Sequence, residues 1–565
     1  MRDWLSETHS PTLELLRHFL RRFFDSDLVT SPGQTAAALI ASSSMFLIWF
    51  PFFTGPLKDK YAYLSALAMP GPYRQALCAD ELWLIVMMMS AIGLLSAIEW
   101  QSLFPGPGDY RAIGWLPVRA RQLFGAKLLA LLTVATAAVV VLSLLPCLGF
   151  PALSGGRWAF EASLGGRVAA TGAALVAACY FTLFAFVAAQ GILLNLLRPA
   201  RFAGIAGTVQ GLLAGGSLAL LVLSFSIGPP FANAVLRPNL ARWLPPVWFL
   251  GLCQALSGDP APEMHTLARE ALWGLAAAVI LVLAAYTVSY RRHRALTLEG
   301  LSTVRTERPW RGVILDWLLR DPRQQAVVVF LAKGFAGNGP HRMILMGYGG
   351  FGLAVLLSGM VGMLNLVDPA RLVAARFVYA HVTLVMFLLA GLRHLFSVPV
   401  ELRANWQFRI TEGEGRLPWL LAVDRFVLFL GVLALLAVPF PLEVRLLGWR
   451  AVSESVLFAL FGLCCYEATF ASWEKLPFTC SYLPGKQPMW MVALRLFGLL
   501  ALVLPLVNAI LLACLYNPIL FMAVAIVLLA GFWRSRGTRR QAWREIRLQY
   551  DESPDPAIHG LNLMR

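Results

Sequence analysis

Twelve stretches of mostly apolar residues run through this chain, at 34–53, 80–98, 128–150, 168–193, 205–228, 271–289, 343–364, 375–397, 421–441, 451–472, 490–512 and 516–533. Each is close to the ~20 residues a helix needs to cross the hydrocarbon of a bilayer. In lipid every backbone polar group must be satisfied within the segment, so runs of this length permit little but helices. The expected fold class is an all-α polytopic membrane protein of about 12 transmembrane helices. Composition points the same way: 58% of residues are hydrophobic and only 14% charged, against about 25% charged in ordinary soluble domains. Mean hydropathy is +0.67.

The net charge of +16 has a membrane explanation. With the N-terminus inside, roughly three quarters of the 47 Lys and Arg fall in inner segments, as the positive-inside rule expects. An even helix number then places both termini in the cytoplasm. Basic loops contact anionic lipid, and no basic-aromatic motif calls for nucleic acid. The eight cysteines form no CxxC pair, and no cleavable signal precedes the first apolar run.

The organisation is two six-helix halves. Residues 1–33 form an N-terminal in-plane helix region and 34–289 the first transmembrane half. A basic cytoplasmic linker and second elbow occupy 290–342, the second half 343–533, and a cytoplasmic tail 534–565. In Thr12–Phe24, Leu16, Phe19, Leu20, Phe23 and Phe24 share one helical face, while Arg17, His18, Arg21 and Arg22 share the other. Such a helix lies in the membrane interface. Ala326–Arg342 is its less regular counterpart. Trp100-Gln101 and Trp406-Gln407 recur after the second and eighth runs, followed by Arg111-AIGWLPV and Arg416-LPWLLAV, a faint internal repeat of a kind that transporters use.

Catalytic motifs are weak. Leu153-SGGR matches the start of an ATPase signature but falls in a short outer loop. The P-loop that must hold the phosphates, GxxxxGK[ST], is absent; Leu483-PGKQ and Gly334-FAGNG each lack part of it. Gly106-PGD resembles an intramembrane protease motif, but Asp109 lies in a cytoplasmic loop. The His residues show no metal-ligand spacing along the chain. No metal is expected, and this chain is not expected to be an enzyme.

Charges inside membrane runs cost roughly 2.5–3.5 kcal/mol each on insertion scales. Glu454 and Glu467 sit toward opposite ends of the tenth run, Asp424 and Arg425 near the inner end of the ninth, and His381 near the middle of the eighth. Two readings stay open: snorkelling or interhelical hydrogen bonding, and a polar path for substrate or protons, with Glu467 its best candidate.

The inner loop Glu99–Lys127 is too long for a hairpin. It opens on an acidic-aromatic pair, breaks at Pro105-GPG, and continues as an amphipathic piece carrying Ile113, Trp115, Leu116 and Val118 opposite Asp109, Arg111, Arg119 and Arg121. With "LPVRARQLFGAKLLALL", it resembles the second-to-third helix region of type-2 ABC exporter permeases. An acidic residue, Glu99, closes the second helix there, and Leu116-Pro117-Val118, Leu123-Phe124 and Ala126-Lys127 lead into the third. "LPPVWFLGL", "ELRANWQFRITE", "KLPFTCSYLPGK" and "LQYDESPDPAIHGLNL" are similar to large single-chain bacterial members.

The resemblance implies a permease in the cell inner membrane, exporting a substrate with ATP hydrolysed by separate ABC-type ATPase subunits, two copies beneath one chain. ATP and Mg then belong to the partner, and no cofactor to this chain. It places the connecting helix at Thr12–Phe24. It assigns coupling to Glu99, Trp100, Phe104, Asp109, Tyr110, Arg111, Arg119 and Arg121, and in the next inner loop to Arg198 and Arg201. In the second half the same places fall to Glu401, Trp406, Arg416, Lys475 and Lys486. Pro229–Glu270 resembles an outer re-entrant region, whereas the second half has only about Ala513–Leu515 there. An ion-coupled twelve-helix carrier and a membrane-embedded lipid-linked transferase are the alternatives.

Overall fold

The computed structural model describes residues 11–24, 55–67, 69–100, 103–104, 119–159, 162–197, 199–224, 243–259, 261–299, 321–337, 339–362, 369–399, 408, 410, 417–471, 473, 475–479 and 502–545. Every regular element among them is helical. The chain divides into two compact units, Met1–Val304 and Arg305–Arg565, a boundary inside the expected linker.

The first unit contains α1 (Pro11–Phe24), α2 (Pro70–Ile98), α3 (Ala120–Leu153), α4 (Leu164–Leu196), α5 (Pro199–Ser224), α6 (Pro245–Leu256) and α7 (Pro262–Glu299). The second contains α8 (Pro322–Gly337), α9 (Gly339–Gly362), α10 (Pro369–Phe396), α11 (Leu417–Leu428), a π-helical segment (Phe429–Leu433), α12 (Ala434–Ala437), α13 (Phe440–Leu447), α14 (Arg450–Phe470), α15 (Leu504–Cys514) and α16 (Pro518–Glu545). Half of these helices open on proline. Its missing N–H costs nothing in the first turn, and its fixed φ suits a helix start.

Ten helices among the described residues are long and apolar enough to cross a membrane. They coincide with ten of the twelve apolar runs. The run at 34–53 lies outside the described residues, as does most of the run at 490–512, of which α15 is the described end. Several helices outrun their apolar windows. The last continues from Pro518 to Glu545, so the expected boundary at 533/534 falls inside it. Large exposed apolar side chains, such as Trp273, Ile280, Ile519 and Val527, cover outward faces, as lipid contact would favour.

The two units share a packing plan. In the first, α1 lies on α3, α2 packs against α4 and α5, α3 against α4, and α4 against α7. In the second, α8 lies on α11, α10 packs against α14 and α15, α13 and the π segment against α14, and α14 against α16. The faint sequence repeat thus corresponds to a repeat of neighbours. On α1, Phe19 is fully buried and Lys127 Nζ stands 4.7 Å from its ring centre. On α8, Gln324 Oε1 accepts from Arg425 at 2.6 Å.

The twelve-residue α6, about 18 Å long, breaks the symmetry. It starts within the expected outer segment, buries Val247, Phe249, Leu250 and Cys253, and packs against α2, α4 and α7. A Cβ on Gly251 would stand 2.3 Å from Leu267 Cβ. At the corresponding place in the second unit only residues 515–517 separate α15 from α16.

The Leu153-SGGR stretch is a packed turn. Ser154 caps α3, and its carbonyl accepts from the Tyr73 hydroxyl. Trp158 Nε1 donates to the Leu67 carbonyl at 3.0 Å. A Cβ on Gly156 would meet Ser65 Oγ at 2.0 Å. Ser65, in a helical stretch at residues 55–66, leaves no room for a side chain at Gly156.

Candidate functional site

The second unit buries two charged clusters at opposite ends of α14. Glu454 and Glu467 are thirteen residues apart, about 20 Å along its axis.

At the C-terminal end, α11 supplies Asp424, α14 supplies Tyr466 and Glu467, and α16 supplies Arg536 and Arg539. Arg536 Nη1 donates to Asp424 Oδ1 at 2.8 Å and to Glu467 Oε1 at 3.0 Å. Arg539 Nη2 donates to the same oxygens at 2.7 and 2.9 Å. The Tyr466 hydroxyl and Arg536 Nη2 also donate to Asp424. Asp424 and Glu467 are almost wholly buried. The Arg539 guanidinium stands 4.5 Å from the Tyr466 ring centre and 4.7 Å from that of Trp543. Two cations meet two anions, so the cluster is neutral and fixes three helices in register.

At the other end, α10 supplies His381, α13 supplies Glu443 and α14 supplies Glu454. His381 Nδ1 stands 3.0 Å from Glu454 Oε1, and Nε2 stands 3.1 Å from Glu443 Oε1. The last pair lacks hydrogen-bond direction: Nε2 and both Glu443 oxygens have no hydrogen-bond partner. All three side chains are buried, and their ligand atoms lie within 4.8 Å of one another.

The π segment helps to aim both ends. Asp424 and Glu443 are nineteen residues apart. At about 100° per residue, an uninterrupted α-helix would leave them about 100° out of phase. A π bulge accommodates one extra residue, which offsets that angle and turns both carboxylates toward α14 and its neighbours.

The first unit has smaller polar groups. Gln254 Nε2 donates to buried Glu81 at 3.2 Å and contacts Cys78 Sγ at 2.9 Å. Lys60 pairs with Asp80 at 2.7 Å, and the Tyr61 hydroxyl donates to Asp80 at 2.8 Å. Burial, and then the adjacent carboxylate, push the Tyr61 phenol well above its ordinary pKa, so it remains a donor.

Of the expected intramembrane residues, Glu454 and His381 meet in one cluster and Glu467 belongs to the other. Glu443, Arg536 and Arg539 escaped the sequence reading. Glu443 lies just past an apolar run, and the two arginines look like the start of a charged tail. Their spacing to Trp543, at i, i+3 and i+7, was the available signal that the helix continues with one face turned inward.

Of the expected coupling residues, Glu99 caps the C-terminus of α2, and Arg119 and Arg121 are exposed at the start of α3. Trp100 and Phe104 are buried. Gln190 donates to the Trp100 carbonyl at 2.8 Å, Gln210 to the Ala97 carbonyl at 2.9 Å, and Phe104 stacks on Tyr286 at 4.6 Å. These contacts satisfy carbonyls that a helix end leaves open. They make Trp100 and Phe104 anchors of the loop's root. Arg201 lies in α5 and Lys475 is half-buried. Asp109, Tyr110, Arg111, Arg198, Glu401, Trp406, Arg416 and Lys486 lie outside the described residues.

Gln190→Leu removes the shorter of two donors to the buried Trp100 carbonyl, leaving Leu103 N–H at 3.4 Å, and is expected to cost about 0.5–1.5 kcal/mol. Thermal unfolding in detergent measures it. A change below ~0.5 kcal/mol would show that the root of the loop is held by other contacts.

Comparison with models of known protein families, with curated proteins and with solved structures finds no match.

Proposed function

We propose that this chain is a permease of the type-2 ABC exporter class, with twelve spans, both termini cytoplasmic, and residence in the cell inner membrane. Two copies of a separate ABC-type ATPase dock beneath it and supply the energy. One observation supports this most: the two units repeat the same packing plan, each led by a connecting helix, α1 or α8, lying on the third helix of its half. In such a duplicated arrangement force enters through inner loops rooted at helix ends. The root at Glu99–Phe104, tied to α4, α5 and α7 through Gln190, Gln210, Tyr286 and Phe104, suits transmission because load on the loop reaches three helices.

The test is purification of the full chain from its native membrane, followed by ATP hydrolysis across a sizing column. The expected result is an ATPase activity that travels with the chain and is lost when Glu99, Asp109 and Arg111 are changed together. The triple variant must retain the wild-type elution volume. A chain that elutes without hydrolysis, and carries solute into vesicles under an imposed proton gradient alone, overturns this reading. That outcome would favour the ion-coupled carrier, whose supporting observation is the buried His381, Glu443 and Glu454 group.

A further inference from the structure

The two buried clusters of the second unit differ in how their charge is compensated. Asp424 and Glu467 each face two arginines. Among the described residues, no Lys or Arg forms an ion pair with Glu443 or Glu454; their one basic neighbour is His381. A protonated imidazole would still leave one negative charge uncompensated. A buried charge in that state is strongly unfavourable.

The hydrogen positions sharpen the argument. A neutral imidazole carries one N–H. If Nδ1 donates to Glu454, the Nε2 lone pair faces a Glu443 oxygen at 3.1 Å, acceptor against acceptor. A proton, on the Glu443 carboxyl or on the second ring nitrogen, or a metal cation must stand between them. A proton there would call for a directed hydrogen bond, and the contact lacks that direction. Both oxygens of the fully buried Glu443, and Glu454 Oε2, are without partners.

We propose that His381, Glu443 and Glu454 hold a divalent transition-metal ion of the zinc or manganese class. Two carboxylates and a neutral imidazole balance a charge of +2. One nitrogen and carboxylate oxygens suit zinc or manganese, whereas copper(I) favours sulfur and calcium six or more oxygens. Two atoms 3.1 Å apart can both lie about 2.0–2.2 Å from one ion. Glu454 on Nδ1 would orient the ring, as carboxylates behind metal-bound histidines do. A space of about 10 Å³, lined by His381, Glu454, Leu457 and Phe458, adjoins the group. It is close to the size of one water and too small for an organic ligand. His381 of α10 and Glu443 of α13 would ligate the ion and Glu454 would tie the ring to α14, so the ion would clamp three helices. The assignment is independent of the transport reading.

The full chain in detergent is stripped with a chelator, reloaded with zinc chloride or manganese chloride, desalted, and analysed for metal per chain by mass spectrometry. About one ion per wild-type chain is expected, with a rise in Tm of several degrees that the chelator reverses. Glu443→Gln, which keeps the side-chain volume, should lose the ion, and Glu454→Gln should weaken it by roughly 10–100-fold. The exposed Glu14→Gln should retain it. Less than a tenth of an ion per wild-type chain at tenfold excess of either metal, with no change in Tm, overturns the proposal. So does equal retention by Glu443→Gln that elutes as wild type. If that variant fails to fold, the reversible wild-type loading and Tm shift decide the matter.

Discussion

Asp424→Asn lowers the unfolding temperature of the second unit by about 10 °C, the largest single-residue effect expected outside the apolar core. The substitution keeps shape and removes one anion that accepts from Arg536, Arg539 and Tyr466. Two guanidiniums then face one carboxylate, and breaking a buried pair from one side costs about 3–5 kcal/mol. The network itself contributes less, because its attraction is set against the desolvation of four ions. A second change that restores charge balance, Arg536→Gln, should therefore recover most of the loss. Arg536 is the better partner to remove, since Arg539 also packs on Tyr466 and Trp543. Unfolding followed by tryptophan fluorescence in detergent checks both variants. A double variant no better than the single one would mean that geometry, not charge balance, holds α11, α14 and α16 together.

Gly251→Val pries α6 from α7. A Cβ at 251 would stand 2.3 Å from Leu267 Cβ, inside any tolerable contact, and a tight 3.0 Å from the Met264 carbonyl. The obstacle includes backbone, so a rotamer change cannot relieve it. Overpacking of this kind costs about 1–3 kcal/mol, and the branched side chain puts it at the upper end. Small residues let membrane helices approach closely in the absence of a hydrophobic drive. The same device recurs where Gly191 of α4 faces Ala285 of α7. Cys253, two residues on and buried, reports the change: its reaction with a maleimide should accelerate in the variant, with the buried Cys179 of α4 as the internal reference. Unchanged labelling and Tm would mean that α6 shifts as a body without loss.

The spans were legible because a membrane solvent writes itself into composition: ten described helices sit where apolar runs predict them. Their ends were not legible, because hydropathy falls at the first charges while hydrogen bonding continues. Arg536 and Arg539 illustrate this. They follow the last apolar window, yet the helix carries them on and their charges are met by Asp424 and Glu467. Glu454, Glu467 and His381 stood out as charges in apolar runs. Their partners did not, since Glu443 lies 62 residues from His381 and only the fold joins them. The resemblance assigns Trp100 and Phe104 to coupling, and the structure buries both. Their burial depends on Gln190 and Tyr286, residues of other helices.

The π segment Phe429–Leu433 makes the count of residues part of the site. A protein engineer who deletes one residue there removes the bulge, and the eighteen steps of about 100° that remain still bring Glu443 to the bearing of Asp424. Deleting two leaves seventeen steps and turns Glu443 by about 100° relative to Asp424. The carboxylate then swings off the bearing of His381, or Asp424 swings off the bearing of Arg536 and Arg539. Phasing of this sort leaves no signature at any single position, so a scan of point substitutions along Phe429–Leu433 would score the segment as tolerant filler. Single and double deletions compared side by side would separate the spare residue from the ones that set both ends of the span.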